Sequence, residues 1–313
     1  MRLCVRRCKH CAVFGVALLI VLGGNARVMG QEPDSYKLSV NVNLVVVDAA
    51  VRDRKGRSVA DLGEQNFAVY EDGVRQSIRL FLHEDIPVAA GLVIDHSGSM
   101  RAKLPAVVAG ARTFVQTSNP EDRLFVVNFN EKVTLGLSGA AAFTNRSQEL
   151  ERAISTTPAE GMTALYDALV KALERLQAGQ RDRKVLLVIS DGGDNASSHT
   201  LADVLKMAAH SRTMIYTIGI FEPEDPDKNP AVLRRLAETT GGEAFFPHQM
   251  DEVVATCERI AHDIRNQYTI GYVPVGAARP GTYRTIRVVA VGDADDKLSV
   301  RARSGYIAGA GGK

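Results

Sequence analysis

At 313 residues, 45% of them apolar, the chain is long and hydrophobic enough for one α/β domain plus a smaller unit. Its 38 Lys and Arg against 36 Asp and Glu leave no strong charge bias, which excludes nucleic acid as an evident partner. Cys4, Cys8 and Cys11 crowd the first residues, so beyond them only Cys257 remains; no internal disulfide can form there, and stability must come from the core.

Residues 1–30 read as a signal peptide. Arg2, Arg6, Arg7 and Lys9 form a basic start, Ala12–Leu22 an apolar stretch, and Val28-Met29-Gly30 a cleavage site before Gln31. The expectation is an exported protein, periplasmic or secreted. The apolar run falls short of the ~20 residues of a spanning helix, so an uncleaved anchor is the alternative and no other integral membrane segment is expected. No Cys follows at a lipoprotein position. Losing the leader removes five basic residues (those four and Arg27) and no acidic one, turning the net charge of +2 into −3.

Residues 31–85 read as an N-terminal β segment. Residues 37–47 alternate and are rich in Val, a strand; Asp53-Arg54-Lys55-Gly56 marks a hairpin turn; Phe67–Tyr70 and Ser77–Leu82 are further strands about the turn Glu71-Asp72-Gly73. From residue 86 to 266, strands and amphipathic helices alternate. The strands are 91–94, 124–129, 185–190, 214–218 and 244–246. The helices are 102–117, with Pro105 in its first turn, then 163–177, 200–210, 230–239 and 250–266. Short apolar strands separated by such helices predict a doubly wound, mostly parallel sheet covered on both faces. Cys257 lies on the apolar stripe Val253, Val254, Cys257, Ile260, Ala261, Ile264 and reads as a small buried hydrophobe. Residues 267–313 return to β, with strands 268–272, 285–291 and 297–303 and an acidic turn at 292–296, read as a solvated hairpin tip. This segment is expected to pair with residues 31–85 in one small sandwich.

The chemistry concentrates at strand ends. Asp95-His96-Ser97-Gly98-Ser99 follows the apolar strand 91–94, and its alternating Asp95, Ser97 and Ser99 can turn three oxygens onto one point. Thr163 opens a predicted helix, and Asp191 closes the strand 185–190. Carboxylate and hydroxyl oxygens suit a hard divalent ion such as Mg²⁺, or Mn²⁺. In open α/β sheets ligands collect at the carboxyl ends of strands where strand order reverses.

On Asp95, Ser97, Ser99, Thr163 and Asp191 the chain resembles a von Willebrand factor A domain with a complete metal-ion-dependent adhesion site, over residues 86–266. The resemblance implies that Ser97 and Ser99 bind the ion directly, that Thr163 joins when ligand is present, and that Asp95 and Asp191 act directly or through water. It gives Asp194 and Asn195 no ligand role, and these read as loop-stabilising. Asn41–Asp48, Asn66–Gly73 and Arg303–Ala308 resemble an exported bacterial group of related proteins.

An ion held largely by hydroxyls keeps positive charge and an open position, which a partner's carboxylate can fill. The expected activity is therefore metal-dependent capture of a protein or envelope ligand presenting an acidic group, with Phe221–Asp227 as the candidate specificity loop and no catalysis. The alternatives are a metal-dependent hydrolase at the same residues or a scaffold with a silent site. For a hydrolase, His96 is too close in sequence to Asp95 and Ser97 to align as base, and His199 reads as a surface histidine. G-x-S-x-G, H-E-x-x-H and phosphate-cradling motifs are absent.

Overall fold

A computed structural model describes residues 44–137, 143–178, 181–222, 228–276, 279–292 and 298–309. The leader, the start of the 37–47 strand, and most of the 221–227 loop and 292–296 turn lie outside the described residues.

The centre is a six-stranded sheet. Its strands are β5 (Ala89–Asp95), β6 (Arg123–Phe129), β7 (Val133–Leu135), β8 (Lys184–Ser190), β9 (Thr213–Gly219) and β10 (Ala244–Phe245), in the order β10-β9-β8-β5-β6-β7. All neighbours run parallel except β7, which folds back on β6. Every residue of β5 and β9 is buried, because helices cover both faces and leave no polar side to alternate with. On one face lie α1 (Leu104–Thr117), α2 (Ser147–Ser155) and α6 (Glu252–Arg265), which contribute Val107, Phe114, Leu150, Val253, Cys257 and Ile260. The other face carries α3 (Leu165–Gln177), α4 (Leu201–Ser211) and α5 (Pro230–Thr240), with Leu169, Val204 and Leu236 inward.

Strand order fixes where a ligand can sit. From β5 the chain steps to β6 and β7 on one side, then crosses to β8 on the other. The carboxyl ends of β5 and β8 therefore flank the switch point, where flanking loops diverge and leave a crevice.

The chain ends build a second layer. β1 (Val45–Arg52), β4 (Ile78–Leu82), β11 (Tyr268–Tyr272) and β13 (Ser299–Ala302) form one antiparallel sheet, ordered β13-β1-β11-β4. β2 (Phe67–Glu71), β3 (Val74–Gln76), β12 (Tyr283–Ala290) and β14 (Gly305–Ile307) form another, ordered β14-β12-β2-β3. Each sheet draws strands from both flanks of the α/β body. Val47, Val69, Tyr268, Ile270 and Val288 share a core between them. Glu71 is fully buried there, its charge met by Arg284 at 2.7 Å and by the Tyr272 hydroxyl, which donates to it at 2.6 Å. Among the described residues no helix is long and apolar enough to cross a membrane.

Candidate metal centre

Asp95 ends β5 and is fully buried. Its Oδ1 accepts the Ser97 backbone N–H at 2.8 Å, which bends the chain back over the strand end. Its Oδ2 accepts the Ser190 hydroxyl of β8 at 2.6 Å. Ser97 starts a short 3₁₀ turn over Gly98–Met100, and that turn brings Ser99 round to the same side. The Ser97 and Ser99 hydroxyls lie 3.1 Å apart, and Ser99 donates to Asp191 Oδ2 at 2.6 Å. Because Ser99 gives its proton to Asp191, Ser97 is the donor in the first pair. Two buried carboxylates and two hydroxyls thus form one connected oxygen cluster.

Thr163 approaches on a separate loop and is 7% exposed. It precedes α3 by two residues rather than opening the helix, because Ala164 at φ −107° and ψ 61° is not yet helical; the Ala164 N–H donates to the Asn130 carbonyl at 2.8 Å. Two bonds seat this loop against the serine turn: Gly98 N–H donates to the Gly161 carbonyl at 3.3 Å, and Glu160 N–H to the His96 carbonyl at 2.9 Å. Gly161 has φ +83°, a left-handed backbone state that glycine adopts without strain. Asn195 clamps Thr163 from the β8 side: its Oδ1 accepts the Thr163 N–H at 2.8 Å, and its own N–H donates to the Thr163 carbonyl at 2.9 Å. Asp194 accepts from the Tyr166 N–H at 3.1 Å and the Ser197 hydroxyl at 2.6 Å. Both side chains brace loops.

The electrostatics are those of a site short of positive charge. Burial first, and then the neighbouring Asp191 carboxylate, push the Asp95 carboxyl up to about 6, although Ser190 and Ser97 donate to it. A divalent cation beside two such carboxylates would remove that repulsion, and hydroxyl and carboxylate oxygens are the donors a hard ion takes. The donor set fits such an ion. Among the described residues no group of three or more His, Cys, Asp or Glu side chains is placed to hold a metal ion, so any ion here would rest on the hydroxyls as well as the two carboxylates.

The histidines stand elsewhere. His96 is turned inward, its Nε2 paired with Asn128 Oδ1 at 3.2 Å, and burial lowers its pKa. It is not aimed at Ser97 or Ser99. His199 is held by Asp167 Oδ1 at 2.7 Å, on the loop before α4. Of the 221–227 loop only Phe221 and Glu222 are described, and Phe221 stacks on Phe246 with ring centroids 5.5 Å apart. Ser190, Gly161 and Asn128 escaped the sequence reading. Ser190 carried one signal, a hydroxyl beside Asp191 at a strand end; the other two roles depend on which loops meet.

The family model for the von Willebrand factor type A domain matches residues 91–258. The chain belongs to that family. Such domains generally serve as protein-interaction modules. A von Willebrand factor type A protein from Catenulispora acidiphila superposes with a TM-score of 0.51 over 84% of this chain and 74% of that one, at 14% identity. Proximal thread matrix protein 1 of the mussel byssus, solved with a zinc-occupied metal-ion-dependent adhesion motif, gives 0.50 over 64% of this chain and 50% of its own, at 15% identity. At such identities the likeness is one of fold. An uncharacterized protein of Synechocystis sp. is 25% identical over 187 residues, 58% of this chain and 42% of that protein, so the chain spans less than half of that relative.

Proposed function

We propose that this is an exported von Willebrand factor A module that holds a divalent ion, Mg²⁺ or Mn²⁺, and uses it to capture an acidic group on a protein or envelope partner. Asp95, Ser97, Ser99, Thr163 and Asp191 would hold the ion. The observation that carries the reading is the hydrogen-bonded cluster of Asp95, Ser97, Ser99 and Asp191 at the switch point, with the Thr163 loop fastened to it. When bound, the ion supplies a Lewis-acidic position for a partner carboxylate. The residues then divide the work. Ser97 and Ser99 offer oxygen without neutralising charge, Asp95 shapes their turn through the Ser97 N–H, Asp191 fixes the Ser99 hydroxyl, and Asn195 holds Thr163 at the rim. The zinc-occupied motif of the mussel protein supports a divalent ion at the corresponding place.

Against hydrolysis stands the geometry of the hydroxyls: Ser99 donates to a carboxylate, Ser97 to Ser99, and the nearest histidine faces Asn128. Calorimetric titration with MgCl₂ and MnCl₂ tests the reading. Wild type should give a saturable heat, and Asp95→Ala none. An equal heat from the variant, or no heat from wild type, would sink the metal site, and metal-dependent turnover of simple esters or phosphates would favour the hydrolase instead. Export is tested by N-terminal sequencing of the mature protein, expected to begin near Gln31; an intact leader in a soluble cell fraction would refute it.

A further inference from the structure

The pole of the molecule opposite the candidate metal centre carries a second concave site. There the outer face of the β13-β1-β11-β4 sheet meets the amino ends of β8 and β9 without closing on them, and a cavity of about 810 Å³ remains. That is the size of a small-molecule site, roughly 300–1,000 Å³. One wall is apolar, with Val46, Leu80 and Leu82 on the sheet. The other bears Arg183, Lys184, Arg212 and Arg303, faced among the described residues by two acids, Asp48 and Asp182.

These cations are under-compensated. Arg183 is 7% exposed; its Nε lies 3.4 Å from Asp48 Oδ1 and its Nη2 donates to Gln267 Oε1 at 2.6 Å, but its buried Nη1 has no partner. Asp48 Oδ1 is shared, since it also accepts the Thr269 hydroxyl at 2.7 Å. Arg303 donates through Nη2 to the Val46 carbonyl at 2.8 Å and leaves its buried Nε unmatched. Among the described residues no carboxylate comes within 4.0 Å of Arg303, Arg212 or Lys184. Burial, and then the Arg212 charge, depress the Arg303 guanidinium pKa. Arg212 itself ends α4 at φ +54°, a backbone state costly for a residue with a side chain and held only where the surroundings impose it. Arg303 thus carries an unpartnered buried Nε and lies under the repulsion of the Arg212 charge, and an anion between the two would offset both.

We propose that this cavity binds a small amphiphilic anion, a single alkyl or aryl chain ending in carboxylate or phosphate. Its chain lies against Val46, Leu80 and Leu82, and its head group sits between Arg212 and Arg303. The site does not depend on the metal reading.

Titration calorimetry on the full chain tests it with octanoate, octyl phosphate, octanol and octyltrimethylammonium, all below their micellar concentrations. One or both anions should bind saturably at one per chain, and comparing the two identifies the head group. Octanol and the cation should bind at least tenfold more weakly. Arg212→Glu, an exposed position, should weaken the anion at least tenfold with an unchanged unfolding midpoint, while Arg152→Glu on α2, the same charge change elsewhere, should not. Leu80→Gln should weaken it through the apolar wall. Absence of saturable anion binding, equal affinity for the octyl cation, or an unaffected Arg212→Glu variant would each overturn the proposal.

Discussion

Asp95 shows how one side chain organises a crevice. Its two oxygens are spent on different tasks, one shaping the Ser97 turn and the other tying β5 to Ser190 on β8. Ser190→Ala would leave a buried carboxylate oxygen without its donor, a cost of about 1–3 kcal/mol. Urea unfolding should show that loss, together with weaker Mg²⁺ binding in the same variant; a stability equal to wild type would contradict the role. Asp167 offers a pH test. Burial alone would raise its pKa, but hydrogen bonds from Ser198 and His199 overcome this and hold it at about 2. The folded value lies below the unfolded one, so its stabilisation is complete above about pH 4 and is lost as pH falls towards 2. Asp167→Asn should therefore cost about 1–2 kcal/mol at neutral pH, after solvent screening, and the gap from wild type should close between pH 4 and 2 in acid-unfolding curves. At this scale the cluster of Asp95, Ser97, Ser99 and Asp191 was legible, because each stands at the end of an apolar run. Ser190 and the His96–Asn128 pair were not, since cross-strand register decides them.

Elements were legible in proportion to their apolar signal. The strands 185–190 and 214–218 and the helices 230–239 and 250–266 lie within a residue or two of their observed bounds, because buried runs and amphipathic stripes declare themselves. α2 was missed: in Ser147–Ser155 only Leu150, Ala153 and Ile154 face inward, too few to set a period. β7, β3 and β14 are three residues each, below what alternation can reveal. Close packing of α1 on α6 was also invisible. A Cβ on Gly110 would sit 2.8 Å from Cys257 Sγ and 3.2 Å from Val253 Cγ1. Gly110→Val should overpack that contact and cost about 1–3 kcal/mol, measurable as a lower denaturation midpoint. Cys257 is fully buried, and burial pushes its thiol up to about 12. A thiol reagent should leave it unlabelled in the native protein and label it only on unfolding.

The whole molecule is joined by charge. Arg52 on β1 and Arg301 on β13 bracket Glu243 and Asp263, with Arg52 2.9 Å from Glu243 and Arg301 2.9 Å from Asp263. Arg52 also pairs with Asp263, whose Oδ1 accepts the Ser58 hydroxyl at 3.2 Å. Truncating Arg52 leaves Glu243 and the buried Asp263 to share Arg301, so Arg52→Met should destabilise by about 3 kcal/mol. Calorimetry should then show the β layer melting ahead of the α/β body; a single transition at the wild-type temperature would refute this coupling. A joint between residues some two hundred positions apart in the chain carries no local signature, which is why sequence alone suggested the β layer but not what fastens it.

β1 has no sheet neighbour until β11 and β13 exist, and β2 pairs with β12. β1 and β2, made early, therefore wait for β11, β12 and β13 before their edges are closed. Pairings so distant in the chain form slowly and leave sticky edges open meanwhile. The β layer is thus completed only after the α/β body that separates its two halves in the chain has been made.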